Sequence, residues 1–232
     1  MDPAILCQSE RWVAAYKPAG MVVPRSEWCT DARPLLQWVR HEVGERVYPV
    51  HRIDRATAGL VVFALSPEGA RHWSQQQAMG AVSKHYHAIV RGWIDESGEL
   101  DYALRGAPEL PPVPAMTRWR RLGCTELQIA VGRYPTARYS LVAARPLTGR
   151  THQLRRHFAH LRHPVVGDVR YGDGRHNRAF RELGVCTMML CSVAMEFRDV
   201  DDSVVRFQAP YSQDFARVVE QLAFVGEKTG EV

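Results

Sequence analysis

Cysteine is scarce in this sequence and is not arranged as a set. Its five residues, Cys7, Cys29, Cys124, Cys186 and Cys191, are scattered, odd in number and contain no Cys-x-x-Cys. A disulfide framework or a structural zinc site is therefore not expected. No apolar run approaches the roughly 20 residues of a membrane helix. The start, Met1-Asp2-Pro3, lacks the basic and then apolar pattern of a signal peptide. Together these absences predict a cytoplasmic protein with no membrane attachment. Internal repeats, low-complexity segments and a clear linker are also missing, so one domain over 1–232 is expected. Lysine is absent between Arg145 and Arg181, where nine arginines occur.

The 232 residues are 46% hydrophobic and 24% charged, which is enough for one sizeable core. The net charge of +5 points to a polyanionic partner. That charge is polarised. From Arg145 to Arg181 the acids are Asp168 and Asp173, whereas from Glu196 onward eight acids face four basic residues. Arginine without lysine favours recognition, because the planar fork matches phosphate geometry. A solvated helix face is the plainer alternative.

Strand and helix signals alternate irregularly. Strands are expected at Arg11–Tyr16, Leu60–Leu65, Lys84–Trp93, Met116–Leu122, Glu126–Val131, Tyr139–Ala144, Thr187–Phe197 and Val204–Ala209. Helices are expected from a Thr30 or Asp31 cap to Val43, from a Ser66 cap with Pro67 first to Met79, and from Thr148 or Gly149 to Leu161. Two more should cover His176–Leu183 and, behind Ser212, the stretch to Phe224. The four prolines of 108–114 make a loop. The last few residues should fray. Consecutive strands argue for α+β with a mixed or antiparallel sheet.

The stretch His51-Arg52-Ile53-Asp54-Arg55-Ala56-Thr57-Ala58-Gly59 sets Asp54 between two arginines, just before an apolar run. Asp54 reads either as a turn residue or as an ionised carboxylate at a site. Four histidines in the segment Thr151–His163 invite a metal reading. The two-histidine spacing of zinc proteases fails, because Arg156 stands four after His152, and no acid shares those turns. No metal is expected. Leu154, Phe158 and Leu161 recur at helical spacing as core. Arg155 borders that face, and a buried arginine requires a carboxylate, for which Asp54 is a candidate.

The Asp54 stretch resembles the His-Arg-Leu-Asp-Arg-x-Thr-Ser-Gly signature of the RluA-type pseudouridine synthases. The likeness continues through Lys17-Pro18-x-Gly20, Lys84-x-Tyr86-x-Ala88-x-Val90-x-Gly92, Thr148-Gly149-Arg150-Thr151-His152-Gln153-Leu154-Arg155-x-His157 and His163-Pro164-x-x-Gly167-Asp168. Within the family the branch that modifies uridine 65 of tRNA is nearest. Its carriers are Tyr86–Trp93, Gly132-Arg133-Tyr134-Pro135-Thr136-x-Arg138-Tyr139 and His152–Pro164. Departures are Ile53 for Leu, Ala58 for Ser, and Cys191-Ser192 where relatives carry His-Ala.

This resemblance implies the family's α+β catalytic fold, a central mixed, mostly antiparallel sheet with flanking helices and loops. It implies a catalytic domain without the small N-terminal RNA-binding domain of many relatives. It further implies an RNA-modifying isomerase that needs no cofactor, with tRNA as partner, ribosomal RNA as the alternative, and no obligate protein partner. Asp54 becomes the nucleophile, Arg155 its pairing cation, and Tyr86 the residue that stacks on the uracil. Arg52 and Arg55 become RNA contacts, and Leu190 packs near the target base. Arg133 and Arg150 join the arginine strip on the RNA backbone. A non-catalytic RNA-binding module is the remaining alternative.

Overall fold

The computed structural model describes residues 1–25, 34–107 and 109–226. Its elements run β1 (Ala4–Gln8), β2 (Trp12–Lys17), α1 (Leu35–Val43), β3 (Tyr48–Pro49), β4 (Ala58–Ala64) and α2 (Pro67–Ala78). Then come β5 (Ser83–Arg91), β6 (Ser97–Asp101), β7 (Leu104–Arg105), β8 (Pro112–Val113), β9 (Met116–Leu127) and β10 (Ala137–Pro146). The chain closes with α3 (Gln153–His160), α4 (Gly174–Glu182), β11 (Leu190–Arg198), β12 (Val204–Gln208) and α5 (Gln213–Leu222). These form two compact units: Met1–Lys84 with Cys191–Ser212, and His85–Leu190 with the chain from Gln213.

In the first unit β2 pairs with β1 and β4, and β4 carries β3 and β11, which in turn holds β12. The β4–β11 pair is parallel and the others antiparallel. All seven residues of β4 are buried, so it reads as a continuous apolar run rather than an alternation. Trp12, Leu60, Val62, Trp73, Met195 and Phe197 pack as this unit's core. Ser66 caps α2 as expected, its side chain accepting from the Gly69 amide at 3.1 Å. Helix α1 starts behind Pro34; the expected caps Thr30 and Asp31 lie outside the described residues, as do Pro108 and the final residues expected to fray.

The second unit stacks β5, β10, β9 and β6 in antiparallel order. The expected strand Met116–Leu122 runs on to Leu127 as β9, taking in only Glu126 and Leu127 of the expected strand Glu126–Val131; residues 128–131 lie outside the strands, Val131 making an isolated bridge to Tyr134. Gly123-Cys124 separates the two expected strands but does not break β9: Gly123 pairs with Leu141, and the ladder to β10 skips Leu122 between Leu141 and Val142, a bulge beside the glycine. The proline-rich loop holds a short strand, β8, on β7. Helix α3 begins at Gln153 rather than Thr148 or Gly149, because His152 takes a left-handed φ of 55°. Asp173 caps α4 through the amides of Arg175 and His176. Across both units the arrangement is α+β, mixed and mostly antiparallel, as expected.

Candidate active site

Asp54 lies on the link between β3 and β4. The Thr57 amide donates to its carbonyl at 3.0 Å, so Asp54 opens a tight turn and is half-buried. Beneath the turn sits Lys17, 0% exposed. Its Nζ donates to the carbonyls of Pro18 (3.0 Å), Met21 (2.7 Å) and Arg55 (3.2 Å). Three acceptors match the three hydrogens of an ammonium. The Gly20 amide donates to the Arg55 carbonyl at 2.7 Å, and Arg55 Nε donates back to the Gly20 carbonyl at 2.9 Å. The Lys17-Pro18-Ala19-Gly20 turn is thereby sewn to the Asp54 turn. Burial pushes the Lys17 ammonium down to about 7, with the charge of Asp54 opposing that fall and Arg55 adding to it. Arg52 and Arg55 are exposed, and Arg55 already spends its Nε on this stitching.

Gly59 shows why the motif ends in glycine. Its φ is +112°, and a Cβ there would lie 2.1 Å from the Ser192 carbonyl oxygen on the parallel strand β11. His51 has a structural task. Its Nε2 accepts from the Val62 amide of β4 at 2.9 Å, and its ring stacks on Trp73 at 6.0 Å. Burial, with Lys84 adding, pushes its pKa down to about 3, so it stays neutral.

In the second unit, Tyr86 is half-buried on β5, opposite Ala144 of β10. The other edge of β5 is held by backbone bonds from Ile89 and Arg91 to the carbonyls of Met189 and Pro164. Arg155 is drawn inward on α3 beside Leu154 and Phe158, as its spacing predicts. It meets Asp168 in a fork, Nε to Oδ2 at 2.7 Å and Nη2 to Oδ1 at 2.9 Å. The side chains are 8% and 0% exposed. Burial by itself would raise the Asp168 carboxyl, but the Arg155 bonds and the amides of Arg170 and Tyr171 outweigh it and hold it below the ordinary range. Arg155 also lies over the Tyr171 ring at 5.1 Å. The fork fixes the guanidinium plane before any substrate arrives.

Around α3, Gln153 bonds Thr148, the Arg150 amide, the Met116 carbonyl and Thr117, which anchors the helix start on β9. His157 is consumed by Thr117 Oγ1 and the Tyr102 carbonyl, both at 3.0 Å, and burial lowers its pKa. Among the described residues no three His, Cys, Asp or Glu side chains gather as ligands. Of the arginine strip, Arg145, Arg150, Arg162, Arg170, Arg175, Arg178 and Arg181 are exposed, as are Arg133 and Arg138. Arg150 donates from Nε to the Pro114 carbonyl at 3.0 Å. Leu190 is buried.

Asp54, Arg52 and Arg55 thus belong to the first unit, and Tyr86, Arg133, Arg150, Arg155 and Leu190 to the second. Two side chains that brace these segments, Lys17 and Asp168, had no role expected of them from the sequence. Lys17 stood in a motif without a task, and Asp168 stood in another while the partner sought for Arg155 was Asp54. The signal was available for Asp168: a buried arginine demands a carboxylate, and a Gly-Asp thirteen residues on was the nearest in sequence.

These two sites define a class. Residues 11–160 match the family described as RNA pseudouridylate synthase, and the chain belongs to that family; it is an RNA pseudouridine synthase, an isomerase. Among curated relatives it is 43% identical over 221 residues to "tRNA pseudouridine synthase C" of Vibrio vulnificus (strain CMCP6), covering 90% of this chain and 86% of that one. It is 41% identical to the protein of the same name from Pectobacterium carotovorum subsp. carotovorum, spanning 96% of this chain and 62% of that longer protein. The solved structure of Human RNA Pseudouridylate Synthase Domain Containing 1 superposes with a TM-score of 0.72 over 97% of this chain and 96% of that one. At 23% identity it shows the shared fold.

Proposed function

We propose that this enzyme isomerises a uridine of tRNA, that at position 65, to pseudouridine, with Asp54 as its nucleophile. The observation that carries the reading is the 43% identity, across 90% of the chain, to a protein named for tRNA. The locked Asp54 turn and the Arg155–Asp168 fork support it, since binding alone requires neither. A cytoplasmic place of action accords with that substrate.

The reaction breaks the bond from uracil N1 to the ribose, turns the base and rejoins it through C5. A proton leaves C5 and one is gained at N1, so nothing is added or lost overall. Asp54 attacks the sugar or the base, giving a covalent intermediate that splits one hard step into two. Arg155 serves the reaction as a fixed positive charge, and Asp168 keeps it aimed. Tyr86 stacks on the uracil and serves proton transfer. Arg52 holds the nucleotide outside its stack, Leu190 lines the base pocket, and Arg55, Arg133 and Arg150 contact the backbone. Flipping the base costs a few kcal/mol, offset by that stacking and those contacts.

Incubating the purified protein with unmodified tRNA and with ribosomal RNA, without added cofactor, and mapping pseudouridine by position tests this. One new pseudouridine in tRNA is expected, at position 65, and none with Asp54→Asn. Conversion confined to ribosomal RNA would overturn the substrate. Unchanged product from Asp54→Asn would overturn the nucleophile.

A further inference from the structure

An exposed turn in the second unit carries Arg133, already proposed as a backbone contact, together with Tyr134 and Arg175, which the proposed function leaves without a role. The Val131 amide donates to the Tyr134 carbonyl at 3.0 Å, and the Tyr134 amide returns a bond to Val131 at 3.4 Å. Gly132 and Arg133 form the two-residue turn between them, with Gly132 at φ +65°. Tyr134 is 57% exposed at this tip. Its hydroxyl accepts from Arg133 Nη2 at 2.8 Å, and the Arg133 guanidinium lies 5.0 Å over its ring. Arg175 of α4 reaches the back of the turn: a Cβ on Gly132 would stand 2.9 Å from its Nη1. Among the described residues neither Arg133 nor Arg175 makes an ion pair, whereas the nearby acids are spent. Glu126 is held by Arg138 and Thr136, and Asp173 by Arg91. Trp93, 44% exposed, repeats the pairing, with Arg138 4.2 Å over its ring and its Nε1 bonded to the Thr125 carbonyl.

A large aromatic ring is held in water at a turn that carries two guanidinium groups, neither of them in an ion pair among the described residues. Each part fits one part of a nucleotide: the ring offers a face to a base, and the guanidinium groups match phosphate. An acidic peptide would use the arginines but not the ring. We propose that the Val131–Tyr134 turn is an RNA-docking element, in which Tyr134 stacks on an unpaired base of the substrate and Arg133 and Arg175 hold the phosphates flanking it. This rests on RNA being the substrate class and adds a second contact, to a base other than the one isomerised. Stacking at this turn asks for a nucleotide free of its pair, so the element reads a loop or an end of the RNA rather than a duplex.

The test is fluorescence anisotropy of the full-length protein with labelled tRNA and with a blunt, fully paired RNA duplex, over a salt series. Tyr134→Ala should weaken tRNA binding roughly tenfold or more while leaving its salt slope alone. It should leave duplex binding unchanged. Tyr134→Phe keeps the ring and should stay within about twofold of the parent. Arg175→Gln should reduce the salt slope by about 0.7 to 0.9, the loss of one phosphate contact. The proposal is overturned if Tyr134→Ala binds tRNA like the parent, if Phe fails as badly as Ala, or if duplex binding falls equally. An acidic protein partner would show as that first result. If the parent isomerises nothing in tRNA yet Tyr134→Ala still weakens tRNA binding, the activity reading fails and the docking element stands. If the parent is active and Tyr134→Ala binds tRNA unchanged, the docking element fails and the activity reading stands.

Discussion

Replacing Asp168 by asparagine removes one charge and almost no volume, so it isolates the electrostatics of the fork. Asp168 Oδ1 accepts from Arg155 Nη2 and from the amides of Arg170 (2.9 Å) and Tyr171 (3.1 Å), while Oδ2 accepts from Arg155 Nε. The asparagine oxygen is best kept at the three-donor position. Its NH2 group then faces Nε–H across the present 2.7 Å, donor against donor. Arg155 stays charged and buried and loses the carboxylate charge of its fork. Breaking a buried pair from one side costs about 3–5 kcal/mol, a large share of the roughly 5–15 kcal/mol that holds a typical domain. Urea unfolding followed by hydrogen exchange in α3 and α4 should show that loss in Asp168→Asn. The double variant Asp168→Leu with Arg155→Met, which removes both charges, should recover a good part of it. The acid limb carries the same sign. The Asp168 carboxyl is depressed when folded, so its contribution is complete above the ordinary 3.8 and is lost as pH falls below that. A well-folded Asp168→Asn protein that loses under about 1 kcal/mol, or a double variant no better than the single ones summed, would refute the reasoning.

Gly59→Ala should prevent β4 from pairing with β11, because left-handed strain of about 1–3 kcal/mol adds to a clash with Ser192 backbone; soluble protein with an unchanged melting temperature would contradict this. Mild acid should destabilise the protein through its buried neutral histidines. Burial pushes His87 down to about 4 and His51 to about 3, so the unfolded chain takes up protons first as pH falls below 6.5. By pH 5 His87 alone should cost about 2 kcal/mol, with His51 acting in the same direction. Denaturation midpoints at pH 7 and 5 measure this, and imidazole resonances of both residues that titrate near 6.5 would disprove it.

Much of the fold is legible in local pattern, because burial periodicity and capping act over a few residues. Ser66-Pro67 announces α2, and the apolar run from Leu60 announces β4. Where the pattern misled, a longer-range contact decided. Gly123 looks like punctuation until β10 is beside it and a bulge lets β9 run through. Thr148-Gly149 looks like a helix start until Gln153 binds back to Thr148 and Met116 and the helix opens later. The short strands β1, β3 and β6 have no strong pattern of their own and exist through the ladders that neighbours offer.

The order and content of the motifs were enough to mark the family, the α+β class and the residues on which activity is proposed to turn. Identity of side chains along the chain carries that information directly. What the side chains do to each other is a matter of distance and of water removed, and those are properties of the fold. Only the tertiary structure brings three carbonyls onto Lys17 beneath the Asp54 turn, sets Asp168 against Arg155, and leaves Tyr134 in water beside Arg133 with Arg175 behind the turn. Each depends on burial or exposure that no residue has by itself.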